Sequence, residues 1–394
     1  MSIDIHSANE ILSVPMSVRS DVLSAQGVQS IPDDLINFKD LIEQTDNNGI
    51  LQIYSYKYCD NLSPEEIKKI RGLVYNGEQR LFGSLGYTEE YTENDTKELA
   101  NISFKNAIYF PSEEGTLIRV FSYDNIWYIS TNRRLDAFKS RWGCSKSFGE
   151  IFSEALLGNQ NDSESVINNL TETLNKDHVY LFLIRNIEQN RIVSKAPLNN
   201  TVYHVGTLLN GKELCLKTEV LGVPSQVPLD FQCFDDVLVY VKNTDPFVRQ
   251  GVIAFLEDGR QVKIINSKYH LYSQVRGNES SIKFRYLCVR NNPTFVRMIH
   301  ELYPESIPIF SLYESLILKI AKKIHSAYIK RFINKEHTVV DKVSYRIIHE
   351  AHGRHIADRN FKVSLEVVIS ILSEQRFLST LNFLIKQEIY PKIQ

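Results

Sequence analysis

Short runs of β-branched and aromatic residues fill the first two thirds of the chain, and apolar spacings of three and four fill the last third. The first pattern predicts strands and the second predicts amphipathic helices. Strand-like runs cover residues 50–56, 72–75, 116–121 and 126–131, bounded by turn formers such as Asn76-Gly77 and Tyr123-Asp-Asn125. They resume at 179–184, 201–205, 251–255 and 262–265. Between them, residues 147–157 predict a helix with Ser147 as N-cap and Glu150 closing a capping box, and a second helix covers roughly 163–174. Beyond residue 292 the runs 295–303, 311–333, 343–352 and 365–389 all read as helices. The change of character near 280–292 divides the chain into an N-terminal extension (1–45), a mixed domain (46–285) and an all-helical domain (286–394). The expected fold class is therefore α+β.

Composition narrows the function classes. The chain has 394 residues, a formal charge of −2 and 43% hydrophobic residues. That suits two or three globular domains and excludes a global basic field. Any polyanion would have to meet a local patch. The five cysteines form no CxxC pair, which reads as free thiols and not a disulfide frame or zinc site. No run of about 18 apolar residues occurs, so no membrane partner is expected and the chain reads as soluble and cytoplasmic.

A set of landmarks follows one another in order from about residue 50 to 278. They are Arg71-Gly-Leu-Val-Tyr75, Glu113-Glu-Gly-Thr-Leu117, Ile129-Ser-Thr131, Phe148-Gly-Glu-Ile-Phe152, Asn190-Arg-Ile-Val193, Gln250-Gly-Val-Ile253 and Val262-Lys-Ile264 followed by Tyr269. In this order they resemble the phage-type RNA ligases of the tRNA-repair kind, members of the covalent nucleotidyltransferase superfamily. The resemblance implies a core of two antiparallel sheets. It also implies chemistry in which a lysine attacks ATP and passes AMP to an RNA 5′-phosphate, with Mg²⁺ as helper. That chemistry needs a neutral lysine, carboxylates for ribose and metal, and further lysines for the phosphates.

The matching positions do not supply these groups. The nucleophile motif reads Ser112-Glu113-Glu114-Gly115, with Ser112 at the lysine position and Glu114 in place of Asp. Lys105 lies seven residues upstream, up to about 23 Å along an extended strand. Leu183 or Ile184 stands where the family places a Glu, Gln250 stands in the Glu of Glu-Gly, and Ile265 replaces the second lysine after Lys263. Four losses in different motifs imply a pseudoenzyme without ATP or Mg²⁺ as cofactor. A divergent ligase whose lysine comes from elsewhere is the alternative, and it would need both.

Arg71, Arg133, Arg134 and Lys263 could form a residual anion or nucleotide pocket; equally, they read as a surface arginine, a solvated turn and an edge-strand lysine. Lys319, Lys322, Lys323, Lys330 and Arg331 form a basic stripe that reads either as a solvated helix face or as a contact for RNA or DNA. His349, His352 and His355 read as solvated or half-buried, since Gly353 loosens the helix and no HExxH pattern is present. The decayed motifs are also similar to uncharacterised ligase-like proteins of large DNA viruses. That similarity implies a structural or scaffold role with protein partners, and a virion location if the chain is virus-encoded.

Overall fold

The computed structural model describes residues 31–157, 163–187 and 192–390. Most of the expected N-terminal extension and the Asn190-Arg191 landmark lie outside these residues. Two compact units divide between Gln274 and Val275.

The first unit holds three sheets. In the first, β1 (Ile42–Asn47), β2 (Gln52–Tyr56), β3 (Leu73–Asn76) and β4 (Gln79–Phe82) pair antiparallel in chain order. The second is antiparallel throughout, in the order β11 (Glu213–Cys215), β10 (Thr201–Leu209), β9 (Val179–Arg185), β7 (Thr116–Tyr123), β8 (Ile126–Ser130). Its alternation is clear. Ile118, Val120, Tyr180, Phe182 and Ile184 point to Ile151, Phe152 and Leu170 of two helices, α1 (Phe148–Leu157) and α2 (Ser163–Glu172). Phe121, Val179 and Leu181 point instead to Ile53, Val74 and Phe82 of the first sheet and to Leu51 just before β2. The β7–β8 turn uses Asp124 and Asn125, both at positive φ, which matches the twist a two-residue hairpin needs.

The third sheet runs β5 (Thr88–Thr92), β13 (Gln261–Ile265), β12 (Gly251–Phe255), β6 (Ile108–Ser112), with β5 and β13 parallel. Helix α3 (Phe234–Asn243) packs Val237 and Val241 against Val252, Ala254, Val262 and Ile264 of this sheet. Mixed α/β architecture with antiparallel sheets followed by a helical region is thus the observed fold. The count differs from the expected two sheets, and one pairing is parallel. The unpredicted strands explain the difference. β1 and β5 are rich in Glu, Gln, Asp and Thr, and β6 carries Pro111, which an edge strand tolerates. β1 also extends the mixed unit upstream of residue 46.

The second unit packs α5 (Ile282–Val289), α6 (Pro293–Leu302), α7 (Ile307–Tyr328), α8 (Lys342–Ala357), α9 (Leu365–Leu372) and α10 (Leu378–Ile389). Ile317, Ile320, Ile324, Ile347, Ile348, Ile371 and Leu381 form its core. Among the described residues no strand follows Ile265. The expected helix 365–389 is two helices, separated at Ser373 and a 3-10 turn, Gln375–Phe377. The boundary falls ahead of the expected 285/286. Buried Arg276, at the end of α4 (Ser267–Arg276), donates from Nε to the Tyr303 hydroxyl at 2.6 Å, and Arg285 Nε donates to the Val275 carbonyl at 2.7 Å. These contacts tie 275–285 to the helices.

Gly251, the first residue of β12, is paired with both neighbouring strands of the third sheet. Its φ is +152°, and a Cβ there would lie 2.2 Å from the Ile264 carbonyl oxygen. Gly251→Ala is expected to cost about 3 kcal/mol or more, from backbone displacement and strain together. Gly353→Ala, on a helix where a Cβ meets nothing within 4 Å, should instead stabilise by roughly 0.5–1 kcal/mol. Urea midpoints of the two variants check the opposite signs.

Candidate functional site

Antiparallel pairing of β6 with β12 sets Ser112 opposite Gly251, and Gly251 faces Ile265 on β13. The Gln250 amide N–H donates to the Ser112 carbonyl at 3.0 Å, which holds the two side chains together. A directional chain of hydrogen bonds then runs through the site. Ser112 Oγ donates to Gln250 Oε1 (2.8 Å), Gln250 Nε2 donates to the Tyr269 hydroxyl (3.0 Å), and that hydroxyl donates to Glu114 Oε1 (2.7 Å). Glu114 also accepts the backbone N–H groups of Ile192 (2.9 Å), Val193 (2.6 Å) and Ser194 (2.7 Å). Every hydroxyl and amide in the chain thereby has a partner of the right polarity.

Tyr269 is the member that motif counting used only as a landmark. It sits in the first turn of α4, where Asn266 Oδ1 accepts the N–H groups of Lys268 and Tyr269 at 3.0 and 3.1 Å. Burial, then the Glu114 carboxylate, pushes its phenol well above the usual tyrosine range. It therefore stays neutral and donates.

Leu183 lies on β9 opposite Leu117 and Tyr203. It packs beside Gly115, where a Cβ would come 2.8 Å from Leu183 Cδ1. Ile265 is 3% exposed. Glu113, beside these residues, faces two cations: Arg185 Nη1 at 3.0 Å and Arg249 Nη2 at 3.5 Å.

The four basic residues of the expected anion pocket have other partners. Arg133 pairs with Glu43, Arg134 with Asp46 at 3.4 Å, and Lys263 with Glu90 at 3.1 Å. Arg71 Nη1 donates to the Gly86 carbonyl at 3.0 Å. The carboxylates come from β1 and β5, the polar strands that the sequence pattern conceals. A cation outside the expected set is more deeply placed. Arg119 is fully buried on β7 and donates to the Gly72 and Thr131 carbonyls; burial and the neighbouring Arg71 lower its pKa to about 9. An arginine inside an apolar run was its available signal.

In the helical unit, Lys319 and Lys323 both pair with Glu388, Lys319 at 2.6 Å. His352 stacks on Phe332 with ring centroids 3.8 Å apart, and His355 Nδ1 lies 2.8 Å from the Phe361 carbonyl. Among the described residues no group of three or more His, Cys, Asp or Glu could hold a metal ion, and no helix is long and apolar enough to cross a membrane.

No protein-family model matches the chain. It is 30% identical over 366 residues to the immediate-early protein ICP-46 homolog of Invertebrate iridescent virus 6, covering 85% of this chain and 80% of that protein. The ICP-46 homolog of Invertebrate iridescent virus 3 is 29% identical over 280 residues, covering 68% and 61%. ICP-46 of Frog virus 3 (isolate Goorha) is 23% identical over 225 residues, covering 53% and 56%. Among solved structures, a putative ATP-dependent DNA ligase from Aquifex aeolicus overlaps with a TM-score of 0.41 at 12% identity, over 92% of this chain and 98% of that one. An archaeal ATP-dependent RNA ligase overlaps with a TM-score of 0.37 at 11% identity, over 91% and 95%. At TM-scores this low, the reading of the site is left to its own geometry.

Proposed function

The chain belongs to the ICP-46 family of viral immediate-early proteins, and we propose that it is a catalytically inactive protein on an RNA-ligase-type nucleotidyltransferase core. It acts as a binding or scaffold component, with protein partners or a larger assembly in the cytoplasm or a virus particle. One observation carries this reading: the hydrogen-bond chain from Ser112 through Gln250 and Tyr269 to Glu114. In an adenylating site the positions of Ser112 and Gln250 would face ATP and metal. Here they face one another.

The donor set does not fit ATP with Mg²⁺. Ser112 cannot form a phosphoramidate, and its hydroxyl is used on Gln250. Glu114 already accepts four donors, which leaves its carboxylate poorly placed to take a hard cation. Gln250 is uncharged, and Ile265 brings no cation to the phosphates. The lysine that survives, Lys263, is paired with Glu90.

Incubation of the purified protein with α-labelled ATP and Mg²⁺, followed by a denaturing gel, tests the reading. No labelled band is expected at 45.5 kDa. A band there would overturn the inactive reading in favour of a divergent ligase with a lysine from elsewhere.

A further inference from the structure

Charge is distributed unevenly between the two units. Residues 275–394 carry 19 Lys and Arg against 11 Asp and Glu, which leaves 26 against 36 for residues 1–274. The formal charges are therefore +8 and −10, concealed in the total of −2. Such asymmetry is a signature of polyanion contact when the positive charges share one face.

Helix α8 provides that face. Lys342, Arg346, His349, Gly353 and Ile356 recur at spacings of three and four, so they line one side of the helix, and all five are exposed. Neither Lys342 nor Arg346 has a side-chain hydrogen-bond or ion-pair partner among the described residues. The nearby carboxylates are engaged elsewhere. Asp341 caps α8 through the N–H groups of Val343 and Ser344, at 3.0 and 2.9 Å. Glu350 accepts Arg354 at 2.9 Å and Arg376 at 2.6 Å, and Glu336 accepts Asn334 at 2.9 Å. Asp358 accepts the N–H of Asn360 at 2.9 Å.

The turn after α7 adds to this face. Ile329–Ile333 is a π-helical turn, and it sets the Arg331 guanidinium 5.1 Å from the Tyr345 ring centroid. Tyr345 in turn lies 6.0 Å from the His349 ring. Cations and aromatic rings are thus interleaved along the helix. Burial first, and then the neighbouring His355, Arg359 and His349, lower the pKa of His352, so basic groups surround it. At Gly353 a side chain would meet nothing within 4 Å, so a bulky backbone can approach closely.

We infer that this face of α8, with Arg331 and Tyr345 at its edge, binds the phosphodiester backbone of a nucleic acid. Lys342 and Arg346, unpartnered and one helical turn apart at about 5–6 Å, with Arg331 beside them, are placed to take successive phosphates. The rings offer stacking surfaces for unpaired bases. A membrane would require an apolar face, and Ile356 is its sole large apolar member. The lysine stripe on α7 divides accordingly: Lys319 and Lys323 share Glu388, and the binding face is placed on α8 and the turn before it, where the free cations lie beside aromatic rings.

Fluorescence anisotropy of the full chain with single-stranded RNA, duplex RNA and duplex DNA oligonucleotides tests the assignment. Binding to at least one is expected, weakening linearly in log–log form as salt rises. The arm that binds best identifies the source of the phosphates. K342A/R346A should weaken binding by about tenfold and reduce the salt slope by about two. K319A/K323A should leave binding within about twofold, because those lysines are already paired. Alanine is the best helix former, so the α8 variant keeps its helix, which a far-UV spectrum verifies. Three results would each overturn the inference: no binding to any of the three at about 50 mM salt, equal competition by polyglutamate of matched charge, or an unchanged salt slope in folded K342A/R346A. None of them bears on adenylation, so failure here is distinct from failure of the proposed function.

Discussion

Ser112→Lys is expected to form no covalent AMP adduct and to lower stability. Ser112 is 2% exposed and its hydroxyl is bonded to Gln250 Oε1, so lysine would bury an ammonium and orphan an amide oxygen. The neighbouring Glu113 and Glu114 favour the protonated amine, which is not a nucleophile. Three further groups are missing: a carboxylate at Leu183 or Ile184, a carboxylate at Gln250 and a cation at Ile265. Loss of one charge-stabilising group typically costs about 10² to 10³ in rate, some 3 to 4 kcal/mol. Three such losses keep turnover below detection even when they are far from additive. Labelled ATP and a denaturing gel provide the readout, with a thermal melt beside it. An adduct within minutes would mean that the rest of the site is functional, and the inactive reading would fail. The fourfold variant Ser112→Lys, Leu183→Glu, Gln250→Glu, Ile265→Lys is the comparison. Adenylation in it alone would show that the geometry persists and that charges were what was lost.

Glu114→Ala should be among the most damaging single substitutions in the first unit, at roughly 3–5 kcal/mol. The carboxylate accepts three backbone N–H groups and the Tyr269 hydroxyl. Alanine would leave four donors to find water or remain unpaired, at about 1–3 kcal/mol for each that stays buried. Tyr269→Phe removes two bonds, the one donated to Glu114 and the one accepted from Gln250, and is expected to cost about 1–3 kcal/mol. Because the two groups touch, the double variant should lose less than the sum, with a coupling of about 1 kcal/mol or more. Urea unfolding with an unchanged m-value measures all three. A Glu114→Ala protein within about 0.5 kcal/mol of the parent would mean that the carboxylate is not the anchor of the 192–194 segment.

Sequence alone determined what is encoded over a few residues. The capping box of α1 is one example: Glu150 accepts the Ser147 N–H at 2.6 Å, and Ser147 Oγ accepts the Glu150 N–H at 3.2 Å. Others are the alternation of Ile118 and Val120 against Phe121, the Asp124-Asn125 hairpin, and the long apolar face of α7. These features arise from backbone period and from groups within one turn of each other, so the local string contains all their terms.

Tertiary structure decided the partners. Ser112 meets Gln250 across 138 residues, Lys263 meets Glu90 across 173, and Arg133 meets Glu43 across 90. The sequence marks each as polar and leaves its neighbour unspecified. Strands β1 and β5 were concealed for the same reason. Their side chains are stabilised by distant groups, as Glu89 is by Lys68 at 2.9 Å, and not by an apolar rhythm of their own. Which carboxylate neutralises which cation depends on strand order and register, and these are set by burial of the whole core. That is why Lys319 and Lys323 of α7 turned out to be paired while Lys342 and Arg346 of α8 remained open to solvent.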